Sequence, residues 1–362
     1  MAADGSTSGG KKQPSEKVEW SRDPTIFRMQ VFAYGYEPGH LPAVVDRIYI
    51  QAPWFKEAKT STNRVLRMAP NARKENNVNL EGPSRSGKTS LARALLRENM
   101  PKRDESGLQL PWGYFRVPSV PSSVVVAQQL LRSLGDASWS QRRSPVERLD
   151  RIREVADMVG LKMLIVDDLH RLVDSRGTKV QHAVADLFID IGDETSVPFM
   201  FLGLERMAPV FNVNEQLRGR TGAAIRCLRL DWRIKSQREL FCNSVEAVTK
   251  KLRLEMPFDH TMTDLTLAFR LYCSTGGLLG YLIKIIRVAE YERLRKMTPM
   301  GFELLRRGVL SVVGKPASWP GRKDPFHPDF VGEVSDEALR LAAQVGREVG
   351  PNASGGRGAH SK

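Results

Sequence analysis

Residues 82 to 89 read Gly-Pro-Ser-Arg-Ser-Gly-Lys-Thr, the complete GxxxxGKS/T spacing of a phosphate-binding loop. Gly82 and Gly87 let the backbone curl without Cβ obstruction, so that successive N–H groups turn inward on a β-phosphate. Lys88 supplies a point charge to the β- and γ-phosphates, Thr89 can offer its hydroxyl to Mg²⁺, and the following helix aims its positive dipole end at the same anion. The run Gly82, Pro83, Ser84, Arg85, Ser86, Gly87, Lys88, Thr89 and Ser90 is therefore the candidate nucleotide contact.

A second chemical signal follows about eighty residues later. Leu161 to Val166 is an apolar run, broken only by Lys162, that ends in Asp167-Asp168-Leu169-His170, as a buried parallel strand ends at a nucleotide site. Asp167 is the candidate Mg²⁺ ligand and Asp168 the candidate catalytic carboxylate that orients or deprotonates the attacking water. His170 either tunes this site or caps the strand-to-helix turn, and the structural role is the simpler one.

Elements of fixed order must position these groups. Val78-Asn79-Leu80 reads as a strand before the loop, and Ser90 to Arg97 as a helix after it. Gly113 to Val117 predicts a strand, Ser122 to Leu134 and 146 to 159 helices, Lys179 to Ile191 an amphipathic helix, and Val197 to Gly203 a buried strand. Ile225 to Leu230 can close the sheet. The alternation predicts an α/β fold, a parallel sheet flanked by helices with ligands at the carboxyl ends of its strands. From Lys235 the pattern is wholly helical (236 to 252, 261 to 273, 278 to 297, 299 to 308), a small all-helical lid domain. The expected organisation is a disordered tail over 1–20, an extension with helices over 21–76, a nucleotide-binding domain over 77–234, the lid over 235–312, and an irregular segment and tail over 313–362. Trp319 to Phe330 mixes aromatics with prolines, and either docks a partner or wraps back on the lid.

Bulk composition narrows the partners. The 362 residues are 41% hydrophobic, enough for a substantial core, and 55 Lys and Arg against 41 Asp and Glu leave a net charge of +14, which points to nucleic acid. Candidate DNA contacts are the loop cations Arg142 and Arg143, Arg171, Arg176 and Lys179, and Lys102 and Arg103 on another connection. Cys227, Cys242 and Cys273 show neither metal-ligand nor disulfide-framework spacing, which fits a reducing cytoplasm. No apolar run approaches the roughly 20 residues needed to span a bilayer, so no membrane association is expected.

Further segments carry a resemblance: Asp46-Arg47-Ile48-Tyr49-Ile50, the GPSRSGKT loop, IVDDLH at 165 to 170, FLGLERM at 201 to 207, QLRGR at 216 to 220, and TGGLLGYL at 275 to 282. Together they span roughly 46 to 310 and resemble the AAA+ ATPases, most of all the TniB/TnsC type that regulates DNA transposition. The resemblance implies a bacterial, DNA-associated, ATP-binding homo-oligomer, ring or helical filament. Such an oligomer assembles on double-stranded DNA and hands it to an integrase-like transposase, often with a TniQ-like targeting protein. ATP then acts as an assembly switch, with an arginine of one subunit reaching the γ-phosphate of its neighbour; Arg220 matches that position best and Arg218 is the alternative.

Three departures from the family pattern bear on the chemistry. Asp168 stands where Glu is usual, and losing one carbon–carbon bond withdraws the carboxylate by roughly 1.5 Å; since about 1 Å of misplacement can cost on the order of a hundredfold in rate, ATP hydrolysis is expected to be slow. Leu204 stands where a small polar residue usually faces the γ-phosphate, and Gly280 where a sensing arginine usually sits, with Lys284 or Arg287 as substitutes. Two rival readings follow: an ATP-loaded scaffold that recruits proteins and hydrolyses little, or another AAA+ machine such as a replication initiator or loader. An initiator usually appends a DNA-reading domain, and 310 to 362 is too short and polar for one.

Overall fold

The computed structural model describes residues 18–38, 44–48, 50, 52–68, 77–174, 177–258, 264–314, 324–327, 330 and 334–346. Two helices lead in, α1 (Pro24–Tyr34) and α2 (Pro53–Met68). Then come β1 (Val78–Glu81), α3 (Lys88–Glu98), a hairpin of β2 (Lys102–Asp104) and β3 (Gly107–Gln109), β4 (Trp112–Arg116), α4 (Ser123–Ser133) and α5 (Pro145–Met158). The core continues with β5 (Met163–Asp167), α6 (Arg171–Asp174), α7 (Thr178–Thr195), β6 (Phe199–Gly203), α8 (Ala208–Asn212), α9 (Glu215–Gly219) and β7 (Ile225–Arg226). Helices α10 (Lys235–Glu255), α11 (Asp264–Thr275), α12 (Leu279–Lys296), α13 (Phe302–Val312) and α14 (Asp336–Ala342) complete the described chain.

Five strands form a parallel sheet in the order β4-β5-β6-β1-β7. Both faces are covered, and the strands divide their residues between two cores by the two-residue period of a pleated strand. Leu164, Val166, Phe199 and Phe201 pack with α4, α5 and α7, whereas Met163, Ile165, Met200 and Leu202 pack with α1, α2, α3 and the later helices. Strand order reverses on either side of β1, which opens the crevice where a ligand is expected. Register brings Glu81 level with Gly203 and Arg116 level with Asp167, so the motif-bearing strand ends share one rim.

Helix starts follow local rules. Ser144 and Glu147 form a reciprocal capping box with Pro145 in the first turn of α5, and the Ser122 hydroxyl accepts from the Val125 amide at the head of α4. Asp23 caps α1, and its second oxygen accepts from Arg103 at 2.6 Å, fastening α1 to β2. Lys102 and Arg103 thus lie on a strand of a hairpin where the sequence predicts a plain connection. The lid is rooted by Tyr272, whose hydroxyl accepts from the Trp232 amide at 3.1 Å and donates to the Leu230 carbonyl at 3.2 Å.

The tail contains more order than its composition suggests. Ser335 caps α14, and Ala338, Leu339, Leu341 and Ala342 are buried, so part of the segment expected to be irregular is a helix with an apolar face. Of the Trp319 to Phe330 stretch, residues 319–323, 328 and 329 lie outside the described residues, and the rest turns back on the lid. Phe326 is buried edge-on to Phe302, and Arg270 donates to the carbonyls of Pro325 at 2.6 Å and Phe330 at 3.1 Å. Among the described residues no single helix is long and apolar enough to cross a membrane.

Candidate nucleotide site

The loop of residues 82 to 87 joins β1 to α3 at the sheet's carboxyl rim, and its glycines are demanded by their surroundings. A Cβ on Gly82 would lie 2.2 Å from the Cys227 carbonyl oxygen, and Gly87, at φ 103°, caps α3 in a left-handed conformation. Lys88 is 8% exposed; its ammonium donates to the carbonyls of Gly82 and Pro83, both at 2.8 Å, and to the Ser86 hydroxyl at 3.3 Å. Burial pulls this lysine below its ordinary pKa, opposed by the nearby charges of Asp167 and Asp168. Cys227, beneath the loop, is pushed by burial up to about 12 and stays a neutral thiol.

Asp167 ends β5 fully enclosed by donors. Its Oδ2 accepts from the Thr89 hydroxyl at 3.1 Å and the Tyr114 hydroxyl at 3.0 Å, and its Oδ1 from the Asp168 amide at 2.8 Å. Burial, with the Asp167 charge beside it, pushes the Tyr114 phenol well above its ordinary pKa and keeps it a donor. No cluster of three or more His, Cys, Asp or Glu suited to a metal occurs among the described residues. Thr89 and Asp167 nevertheless fit Mg²⁺, a hard cation that takes few protein oxygens and completes its shell with phosphate and water. When bound, such an ion neutralises charge between the β- and γ-phosphates.

Asp168 is held differently. It adopts φ 58°, a left-handed conformation that Asp tolerates, and its carboxylate pairs with Arg171 at 3.0 Å and Arg116 at 3.3 Å. Arg171 also donates to the Val117 carbonyl at 2.8 Å, which places this candidate DNA cation in the acid rim. His170 joins two turns: its Nδ1 accepts from the Leu204 amide at 3.5 Å, the long end of a hydrogen bond, and burial lowers its pKa so that it is neutral and able to accept. That arrangement is the turn-bracing role. Glu205 is exposed beyond Leu204.

The lid closes directly on the loop. The Gly280 amide donates to the Arg85 carbonyl at 2.9 Å, and a Cβ on Gly280 would meet that oxygen at 2.5 Å, so only glycine permits the approach. Arg85 itself sits at φ 66° with its guanidinium 4.4 Å from the Tyr281 ring centroid. Behind this contact lies a cavity of about 280 Å³ with two kinds of wall. Val45, Ile48, Phe55 and Ile283 offer apolar surface for a base, and Arg93, Arg97, Lys284 and Arg287 offer positive charge for phosphates. Lys284 and Arg287 are thus brought to the loop.

Sequence reasoning missed several residues of this site. Phe32 of α1 stacks on Tyr114 with ring centroids 3.8 Å apart, and Arg93 lies 5.2 Å above Phe32. Their partners are distant in the chain and follow no motif; the aromatic in the middle of β4, beside the acid strand, is the local hint.

The remaining candidates lie elsewhere. Arg220 closes α9, and its carbonyl accepts from the Asn77 amide at 2.9 Å, which puts it at the amino end of β1, opposite the loop. Its guanidinium pairs with Asp193, one contact at 3.0 Å. Arg218, nearby, is exposed. Among the DNA candidates, Arg142 and Lys179 are exposed, Lys102 is exposed beside Asp104 at 3.8 Å, and Arg176 lies outside the described residues. Arg143 is turned into its own loop, donating to the Ser138 carbonyl at 2.9 Å, and Arg103 is committed to Asp23.

Known proteins share this architecture. The ORC2 protein of Aeropyrum pernix, in ADPNP-ADP complexes, superimposes with a TM-score of 0.51 at 14% identity, over 74% of this chain and 70% of that one. Cdc6p from Pyrobaculum aerophilum does so with a TM-score of 0.54 at 14% identity, over 76% and 72%. The A. pernix ORC1 protein in complex with DNA gives 0.50 at 13%, over 75% and 69%. At these identities the likeness is one of fold, the AAA+ arrangement of a parallel five-stranded sheet followed by helices. No curated protein is significantly similar in sequence. Residues 45–224, which hold the loop, both acids and Arg220, match the family described as Bacterial TniB protein, on a chain whose fold is that of the AAA+ P-loop proteins.

Proposed function

We propose that the protein is an ATP-dependent regulator of DNA transposition that oligomerises on double-stranded target DNA, as a ring or helical filament, and recruits an integrase-like transposase and a TniQ-like targeting partner. One observation carries this reading: Arg220 stands at the amino end of β1 and Lys88 just past its carboxyl end, so the four-residue strand separates them by roughly 13 Å at about 3.3 Å per residue. Arg220 is therefore poorly placed for its own nucleotide, and would reach a neighbour's by exchanging its pair with Asp193. ATP between Lys88 of one subunit and Arg220 of the next would strengthen the contact that aligns subunits along DNA. Arg142, Lys179 and Lys102 are the exposed cations left to follow the phosphates. Imaging the protein on linear duplex with a non-hydrolysable ATP analogue tests this: rings or filaments that vanish without nucleotide support it, and nucleotide-independent coating contradicts it.

A second reading, the slowly hydrolysing scaffold, has its own support. Asp168 is short for its task, and two guanidinium groups already crowd one of its oxygens, Oδ2. ATP would then bind and organise the oligomer, with turnover too slow to reset it quickly. Turnover with and without DNA separates the two, because strong stimulation by duplex excludes the scaffold.

A further inference from the structure

Strand β4 ends the sheet, and no strand among the described residues pairs with its outer side. That side opens into a groove of about 310 Å³ between α1 and α4. Pairing with β5 uses the Pro111 carbonyl and the Val117 amide. Backbone polar groups of a strand alternate in direction, so those of Tyr114 and Arg116 point outward, toward the groove.

The charge around this edge is one-sided. Arg28 of α1 and Arg132 of α4 line the groove with Arg116 of β4, which is paired with Asp168, and no carboxylate among the described residues lines it. Among the described residues Arg28 donates only to its own helix, to the Pro24 carbonyl at 3.2 Å and the Thr25 hydroxyl at 3.4 Å, and Arg132 lies 5.1 Å over the Trp139 ring. Both keep guanidinium donors to spare. Met29 and Phe32 supply apolar surface on the α1 side, and Gln129 and Ser133 supply polar groups on the α4 side.

An open strand edge takes up an extended backbone, alternate side chains of the added strand face opposite walls, and unbalanced arginines select carboxylates. We infer that this groove docks an extended acidic segment of a partner protein, which adds to β4 as a sixth strand. Natural sheets usually blunt such edges, and here the rim of like charge repels a second basic copy of this chain while admitting an acidic peptide. The docking does not depend on any role of the protein in transposition.

Fluorescence anisotropy with the full chain and a labelled synthetic peptide of alternating Val and Glu tests the inference. Saturable binding is expected, weakened at least about tenfold by the double variant Arg28→Glu, Arg132→Glu, neither residue belonging to the nucleotide site. N-methylation of alternate peptide amides keeps every carboxylate but removes strand donors, and should weaken binding similarly; this arm stands even if the double variant fails to fold. Equal affinity after charge reversal or N-methylation, or equal affinity for a Val and Lys peptide, overturns the proposal. So does displacement of the peptide by inorganic phosphate or duplex DNA at constant ionic strength, which would give the groove to phosphate.

Discussion

At the carboxyl end of the central sheet the groups that handle phosphate are locked to one another: Lys88 onto the loop carbonyls, Asp167 onto Thr89 and Tyr114, and Gly280 of the lid onto Arg85. At the amino end, Arg218 is exposed and Arg220 is held by one acid, Asp193, on a five-residue helix. The contrast lies in commitment. One end is a tightly bonded candidate site within the chain, whereas the other presents an exposed arginine and one with a single acidic partner, the pair proposed here to act on a neighbouring copy. On the proposed reading, the chemistry is completed when the amino end of one copy meets the carboxyl end of another.

The sharpest break of that comparison is Arg220→Ala. It should leave nucleotide binding by single protomers intact but lower turnover in the assembly by on the order of a thousandfold, measured as ATP hydrolysis at saturating protein; the same loss with Arg218→Ala alone would shift the role to that residue. Lys88→Ala acts at the other end and should weaken nucleotide affinity about a hundredfold, since it removes charge-assisted contacts of roughly 1.5–3 kcal/mol; titration calorimetry measures this, and unaltered affinity would remove Lys88 from the site. Asp168→Glu restores the longer carboxylate and should raise turnover by up to about a hundredfold. If turnover is unchanged, reach is not what limits it, and the pairs with Arg116 and Arg171 are.

Smaller effects refine the picture. Reversing Arg142 and Lys179 together should weaken duplex binding and lower the slope of log affinity against log salt by about two; an unchanged slope takes both residues off the DNA path. Tyr114→Phe removes one donor from Asp167 and should cost about 0.5–1.5 kcal/mol in unfolding free energy, read by thermal or denaturant melts, with apparent Mg²⁺ affinity changed alongside.

Local patterns made much of this legible in advance. Apolar runs ending at Asp167 and Gly203, and the short Val78-Asn79-Leu80 stretch before the glycine loop, predict the buried strands, and spacing alone predicts the loop and the helices of the lid, because period and glycine chemistry act over a few residues. What stayed hidden depends on contacts across the fold. Nothing near Arg171 in sequence says that it reaches the Val117 carbonyl, 54 residues away, and nothing near Arg103 says that Asp23 claims it, 80 residues away. Phe32 reaches the acid strand only through Tyr114. Helix α14 was obscured by flanking residues rich in Gly and Ser, although its own apolar spacing is helical. Charge counts pointed to a basic face, but only geometry separates the committed arginines from the exposed ones.

Mixing Lys88→Ala protein with Arg220→Ala protein, on duplex DNA with ATP, tests the shared site most directly. Each variant alone should turn over almost no ATP, while the mixture should recover activity, because the intact loop of one copy meets the intact arginine of the other. A mixture no more active than the sum of its parts would contradict a nucleotide held between two subunits.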